Sequence, residues 1–520
     1  MRGMMGLRIV MRIAFAVIFL LASQHLRAQD TLTLNLDESI AVALDKSIDI
    51  QQLRQSMRWA ERNLWAAKAG YRTSITSSWF APAYDEGFKL IEVVEGNPVA
   101  KRFGSSQVRG QLNLIQPMPW VPLGGADLTF RSEAYRLNSW TPSLQNPDER
   151  IQSNKFYSSL SVIVNKPLFT INELALGLKQ AELSYERQSR VFKRSELDLV
   201  YRVTNAFFQL YDRRQRLVID REKVARQEAI YQTTSNKFKA GLIAEVDAMQ
   251  AEVELIQYKN DLKRSEGSLA EQEAVFKQLI GLPMETKVRT VAELDLQPVV
   301  VDVEKARTMA IQNRSELVEQ KITIEEQKIS IKQIDARVSI KGNLKGYYDL
   351  SGFSDPNSPW GTSTQDLFNS SYTQLKKTPN RGFTFELEVP IWDWGRNKAQ
   401  VDAAKANMKR DELDLDDLKV TVGREVDDVV RSVVQTWDRV QMLAKSQEVS
   451  RKSMDISLKR FANGDITSTE LARASDQLNN AKLSYLSAYI EYKMALADLK
   501  RKTLYDFEKD RPLVEVKQKK

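Results

Sequence analysis

The side chains best equipped for chemistry in this sequence are carboxylates. The run DELDLDD, Asp411 to Asp417, sets five acids within seven residues, and paired acids can act as general acid and base. A sparser set comprises Asp247 and Glu470, each six residues beyond a glycine, Gly241 and Gly464, with Arg473 three residues after Glu470. Little else is present to assist them. There is no cysteine, and the one histidine, His25, precedes the mature chain expected below. That excludes thiolate nucleophiles, disulfides, the usual base of a hydrolase triad and the usual ligands of zinc or copper. No GxxxxGK[ST] tract is present to cradle nucleotide phosphates. On a helix, DELDLDD reads as a solvated charged face rather than a reacting pair. The sequence therefore implies no enzyme, no cofactor and no metal site.

The elements that carry these residues begin after an export signal. Arginines at 2, 8 and 12 precede the apolar run Ile13 to Ala22, and a cut after Ala28 completes a secretory signal peptide, too short to cross a bilayer. The formal charge of +8 falls to about +4 without its four arginines, which calls for no nucleic-acid partner. No later stretch approaches the roughly 18 continuous apolar residues of a membrane helix. A β-barrel wall escapes that criterion, because its strands only alternate.

Beyond the signal, the chain repeats itself. VPIWDWGRNKAQ, Val389 to Gln400, and NKPLFTINELAL, Asn165 to Leu176, share one grammar: a strand-like run, a proline, an aromatic, a polar turn, then a helix. From Pro167 to Pro390 the offset is 223 residues. The same offset aligns Phe238 with Phe461, Gly241 with Gly464, Asp247 with Glu470, and Val203, Phe207, Leu210 and Leu217 with Val426, Val430, Val433 and Val440. Upstream, LDESIAVAL at Leu36 resembles VEKARTMAI at Val303 at an offset of 267, so the first copy carries 44 additional residues before Pro167. Such self-similarity must be read before any fold is assigned. It divides the chain into a signal peptide (1–28), a first repeat (29–297), a second repeat (298–505) and a C-terminal tail (506–520).

Each repeat reads as helix, strands, very long helix, turn, helix. Val200, Val203, Phe207, Leu210, Leu217 and Val224 recur at helical steps, as do Val422, Val426, Val429, Val433, Trp437 and Val440, which predicts long helices packed side by side. From Asn172 to Lys237 such a helix would extend roughly 100 Å. The strand regions alternate instead. Phe383, Phe385, Leu387 and Val389 are interleaved with Thr384, Glu386 and Glu388, and similar runs begin at Thr73, Gln107, Ala126, Ser158 and Ser339. Apolar on one face and polar on the other, they suit either transmembrane strands or a soluble sheet on a helical layer. Trp79, Tyr84, Trp140, Tyr157 and Tyr348 near their ends suggest interfacial girdles, while the stretch from Ser351 to Ser371 reads as a long exposed loop. Four to six strands cannot close a barrel, whose single-chain minimum is about eight. Other copies of the chain must complete the wall.

Export, duplication, long helices and small packets of strands together resemble the TolC family of outer-membrane efflux proteins, over Leu32 to about Tyr505. The resemblance rests on the junctions at Pro167 and Pro390, the two F-x-x-G turns and the opening LDESIAVAL helix. It implies an α+β membrane protein: a homotrimer whose long antiparallel coiled-coil helices form a periplasmic α-barrel and whose strands share one transmembrane β-barrel in outer-membrane lipid. It also implies a passive duct for efflux or type I secretion, served by a periplasmic adaptor and an inner-membrane pump. Pro167, Phe169, Pro390, Trp392 and Gly395 would then mark strand-to-helix junctions, and Phe238, Gly241, Phe461 and Gly464 the periplasmic tips where the adaptor docks. Asp247, Glu470 and Arg473 would surround the aperture. Three carboxylates about 8 Å apart in water repel by only roughly 0.5 kcal/mol per pair, and Arg473 opposes cation preference. A periplasmic adaptor or structural coiled-coil protein is the competing reading. The inserted segment, 107–137, has the pattern of a hairpin about the turn Trp120 to Gly125. In the wall it would give six strands per chain and eighteen per trimer, against the family's usual twelve; the alternative is a hairpin outside the wall or over the pore mouth.

Overall fold

The structure, a computed structural model, describes residues 32–91, 98–122, 124–143, 149–292, 297–355, 358, 361–375 and 379–513. The signal peptide expected at 1–28 lies outside the described residues, as does the end of the expected tail, 514–520. The first repeat runs β1 (Leu32–Leu34), α1 (Leu36–Lys46), α2 (Ile48–Ala69), β2 (Ser74–Ile91), β3 (Val99–Pro117), β4 (Asp127–Pro142), β5 (Arg150–Leu168), α3 (Glu173–Lys239), α4 (Glu245–Ile280) and β6 (Val288–Thr290). The second runs α5 (Val303–Asn313), α6 (Ser315–Asp335), β7 (Lys341–Phe353), α7 (Thr364–Gln374), β8 (Pro379–Glu388), α8 (Arg396–Asn463) and α9 (Ser468–Thr503). A small hairpin, β9 (Tyr505–Asp506) with β10 (Arg511–Pro512), follows within the expected tail. Among the described residues, no helix is long and apolar enough to cross a membrane.

Two compact units result, and each draws on both repeats. One combines residues 1–57, 189–319 and 415–520 and is chiefly helical. Its local signals agree across the duplication. Asn35 and Asp302, 267 residues apart, cap α1 and α5: the Asn35 side chain accepts from Glu38 N at 2.8 Å, and that of Asp302 from Glu304 N at 2.9 Å. The buried faces of those helices are Ser39 with Ala43 and Ala306 with Ala310. In α3, Val203, Phe207, Leu210 and Leu217 are buried, and so are Val426, Val430, Val433 and Val440 in α8. The periodic residues thus form two cores, one around Phe207, Phe276 and Tyr489, the other around Val422, Val426 and Tyr492.

The other unit, residues 58–188 and 320–414, holds a single antiparallel sheet in the order β2-β3-β4-β5-β7-β8. The inserted hairpin lies within it. β3 pairs with β2 (Leu112 opposite Ser77) and β4 with β5 (Ser132 opposite Leu160, Leu128 opposite Val164), so the placement outside the wall does not hold.

Three expectations need correction. The stretch from Ser351 contains α7, because Ser363 caps it (Asp366 N to Ser363 Oγ, 3.1 Å) and Leu367, Ser371 and Leu375, at four-residue steps, form a buried face. Tyr157 is no outer girdle residue: it stacks on Tyr135 (centroids 4.8 Å apart) and Phe353 (5.0 Å), on the polar face of the sheet. Within DELDLDD, Glu412 and Asp416 pair with Lys409 and Lys419, as a solvated face should, but Asp411 is buried.

Helix α4 ends at Gly281, whose φ of 76° is left-handed and whose added Cβ would stand 2.4 Å from the Lys46 carbonyl oxygen. Gly241 and Gly464 share the left-handed φ but face open space. All three alanine substitutions carry the strain of about 1–2 kcal/mol for a left-handed L-residue; Gly281→Ala adds a backbone clash. Thermal unfolding followed by circular dichroism is expected to place Gly281→Ala lowest of the three.

Candidate functional site

The two F-x-x-G turns close by one mechanism. At the first, Gly241 N donates to Phe238 O (2.8 Å) and Leu242 N to Lys237 O (2.9 Å); at the second, Gly464 N donates to Phe461 O (3.1 Å) and Asp465 N to Arg460 O (2.9 Å). These bonds satisfy carbonyls that a helix end otherwise leaves open, and only glycine adopts the required φ without strain. The turns are neighbours, since Lys237 Nζ lies 4.9 Å from the centroid of the Phe461 ring. Phe461 packs on a small core of Ile230, Met454, Leu471 and Leu478, whereas Phe238 is exposed.

The helices leaving the turns differ. α9 begins with a full capping box: Glu470 N donates to Thr467 Oγ1 at 3.2 Å, and Thr467 N to Glu470 Oε2 at 2.9 Å. The Glu470 carboxyl is held below its usual value, first by the Thr467 backbone N–H and then by its hydroxyl. Its first duty is therefore to the helix. Asp247 stands at the equivalent place in α4, behind Ala244, which makes no side-chain cap. Asp247 and Arg473 are both exposed, and Leu242 in the turn is followed on α4 by Val246, Met249, Val253 and Ile256, all at the surface at alternating four- and three-residue steps. In α9 the corresponding turns bury Leu471, Ala472, Ser475 and Leu478.

The strand-to-helix junctions also differ in detail. β8 stops at Glu388 and Pro390 follows outside the ladder, as its missing N–H requires. Trp394 and Gly395 then both adopt left-handed φ, 58° and 77°. Asp393 completes the turn, accepting from Gly395 N and Asn397 N, both at 2.9 Å. These bonds, Asn397 first, hold its carboxyl below the ordinary range. Trp392 and Trp394 meet edge to face with centroids 5.6 Å apart, both exposed. In the first copy Pro167 stays inside its strand, opposite Asn343. That is tolerated because pairing with β4 has already ended at Asn165. Phe169 takes the left-handed φ of 59°, and Asn172 caps α3 (Ala175 N to Asn172 Oδ1, 3.0 Å). Asp393 and Asn172 were missed in the sequence, although an acid or amide just ahead of a helical run is a standard cap signal.

The turn of the inserted hairpin seats beside the first junction. Asn172 Nδ2 donates to Pro119 O at 2.8 Å, and Lys166 Nζ to Gly125 O at 3.0 Å and to Pro122 O. The sheet above it has two chemistries. Leu112 and Leu114, Leu128 and Phe130, Leu160 to Val164 at alternate positions, Leu344 and Leu350, and Phe383, Phe385 and Leu387 share one face through the strand register. The other face carries Arg109 with Glu133 (3.4 Å), Arg131 with Asn113 (3.0 Å) and Ser161 with Asp349 (2.5 Å). The sheet thus has one apolar and one charged face.

Known proteins agree with that division of labour. The chain is 19% identical over 404 residues, 76% of its length, to Nodulation protein T of Rhizobium leguminosarum bv. trifolii, of which the match covers 83%. Its fold is similar to that of the CmeC outer membrane channel of Campylobacter jejuni (TM-score 0.64, 12% identity, 90% of this chain and 85% of that one). It is equally similar to the MtrE outer membrane channel of Neisseria gonorrhoeae in its open state (TM-score 0.62, 14% identity, 90% and 88%). The sequence model for the Outer membrane efflux protein family matches residues 132–282 and 343–503, taking in both junctions and both turns. With most of its length matched, the chain belongs to the outer membrane efflux protein family, a channel of the outer membrane and not an enzyme.

Proposed function

We propose that the protein is the passive exit duct of a tripartite efflux or type I secretion assembly. Three copies close one β-barrel in the outer membrane and one helical tunnel in the periplasm, and an adaptor and an inner-membrane pump engage the tunnel end. The observation that carries this reading is the open six-stranded sheet, apolar on one face and charged on the other, with β2 and β8 at unpaired edges. In hydrocarbon each unpaired backbone group costs several kcal/mol, so the edges of one copy must pair with those of the next. Three copies supply an even-numbered wall of eighteen strands, lipid outside and water within. A periplasmic adaptor would have no use for such a sheet.

Two exposed seams support the same assembly. The apolar steps from Leu242 to Ile256 on α4, and Val434, Met442, Val449 and Ile456 on α8 at intervals of seven or eight, are exposed in one copy. Both have the spacing of coiled-coil contacts and await helices of a neighbouring copy. The turns at Gly241 and Gly464 are the periplasmic tips. There Asp247 faces the ion path, Arg473 offsets its charge, and Glu470 holds the helix.

Four outcomes are expected. In unheated detergent extracts of outer membranes, the protein migrates as a trimer that collapses to a monomer on boiling; a stable monomer at all temperatures overturns the shared barrel. Cysteines introduced by Ala240→Cys and Asn463→Cys crosslink to a periplasmic partner and escape impermeant thiol reagents added to intact cells, and labelling from outside inverts the orientation. In planar bilayers, Asp247→Asn shifts the reversal potential toward anions more than Glu470→Gln does. Glu470 shows itself instead in acid. Because its folded value is depressed, its stabilisation is complete above the ordinary 4.5 of a glutamate and is lost as pH falls through the lower folded value. Protection of the Thr467 and Glu470 amides, taken relative to their intrinsic exchange rates, therefore falls below that pH, and Thr467→Ala, at a cost of about 1 kcal/mol, weakens the dependence without abolishing it, because the backbone N–H at 467 remains.

A further inference from the structure

Helix α7 sits on the same face of the sheet as the apolar band. Ser371, fully buried, bonds Ser158 Oγ at 2.6 Å and donates to Gly352 O at 2.8 Å. Phe368 meets Phe156 edge to face, centroids 5.6 Å apart. Asn154 Nδ2 donates to Thr362 O at 3.3 Å, and Arg136 binds Thr364. Positions 154, 156 and 158 alternate in step with Leu160, Val162 and Val164, and Gly352 with Leu350. The helix therefore begins where the apolar residues of β5 and β7 give out, at the end of those strands away from the helical junctions. The seat is shaped for it: a Cβ on Gly352 would stand 2.0 Å from Ser371 O.

Most of what α7 exposes is polar, Gln365, Asp366, Asn369 and Thr373 among them, but one flank is aromatic. Phe368 and Tyr372, one helical turn apart, stack with centroids 5.9 Å apart and an interplanar angle of 23°, and both are exposed. On β8 itself the apolar run begins at Phe383, and Arg381 precedes it on the same face, opposite Tyr348 and in the row of Val162. Aromatic and basic residues at the edge of an apolar band occupy the headgroup level of a bilayer, where a ring can keep its body in the acyl region and its polar tip in water.

We propose that α7 is an interfacial helix bedded on the outer wall of the barrel, which docks against the outer-leaflet lipid surface through the Phe368–Tyr372 pair. The occupant is lipid rather than another protein because α7 is seated on the apolar face itself, over β5 and β7, with Phe156 beneath Phe368 only four positions along β5 from Leu160, and β8 lies between it and the nearer open edge where the next copy must arrive. The inference rests on the reading of that band as lipid-facing.

The chain has no cysteine to remove, so single nitroxide labels can test it in the full-length protein reconstituted into phosphatidylethanolamine–phosphatidylglycerol vesicles. Tyr372→Cys reports α7, Phe130→Cys the apolar band and Gln111→Cys the aqueous face. The ratio of oxygen to nickel-chelate accessibility is expected to be severalfold higher at position 372 than at 111, yet below that at 130, as for a shallow site in lipid. A ratio at 372 equal to that at 111 overturns the inference, and so does a site closed to both reagents, which would mean a second copy covers it. Should position 130 itself read as water, the lipid-facing band fails and α7 with it. Combining Gly352→Ala with Tyr372→Cys unseats the helix and is expected to move only position 372 toward water; no movement there overturns the seating.

Discussion

Everything in the sheet follows from what hydrocarbon does to a backbone amide. In water an unpaired N–H or C=O finds a partner; in lipid it does not, and only helices and closed barrels satisfy the whole chain. Inner strands β3, β4, β5 and β7 each have neighbours on both sides, so the requirement falls on β2 and β8. Their open edges are what the proposed pairing of one copy with the next would satisfy, and the two chemistries of the sheet would set which way each copy faces. On that proposal the apolar and charged residues let the same strands meet lipid on one side and the transport path on the other.

The same constraint explains the crowding at the junctions. Where a strand leaves the ladder, its backbone must pass from inter-strand to intra-helical bonding within a few residues, and the first helical N–H groups have no partner of their own. At β8 the proline forgoes one donor, Trp394 and Gly395 reverse the chain, and Asp393 takes up two amides. The first copy solves the problem with other residues: Asn172 caps, Phe169 reverses, and the proline remains within its strand. Duplication preserved the task and let the residues drift. At the opposite ends of the long helices the solution stayed fixed, because a left-handed turn with two satisfied carbonyls admits glycine and little else.

Legibility in the sequence follows from how local each signal is. The long helices, the glycine turns and the alternating strands were readable because periodicity and turn chemistry depend on residues a few positions apart. Strand extents were harder to read: β3 and β5 each reach nineteen residues, since past the apolar band the strands turn polar and lose their alternation. α7 went unread among serines and asparagines, because Leu367, Ser371 and Leu375 form a face only against Gly352 and Ser158, residues distant in sequence. Glu470 was read as an aperture acid, and its T-x-x-E capping box with Thr467 went unread. Asp411, within a run that looked uniformly solvated, is buried because α8 turns that one side inward.

The inserted hairpin shows why a wall of this kind can grow only in pairs of strands. Adding one strand to an antiparallel sheet would deliver β5 to the wrong side of the membrane and leave α3 on the outer surface; adding two restores the direction. Six strands therefore still serve four long-helix connections, at α2, α3, α6 and α8, and the β3–β4 turn is a strand end with no helix to enter. It cannot be left loose in the crowded junction layer. Lys166 and Asn172 bind its carbonyls at Pro119, Pro122 and Gly125, so the turn fills the place beside α3 where a helix would otherwise begin. With strands about 4.8 Å apart, the pair widens each copy's share of the wall by about 10 Å while the helices stay the same in number. The left-handed residues at Phe169 and Trp394 sit just beyond β5 and β8, so each chain reversal is made outside the ladder, where it costs no inter-strand hydrogen bond.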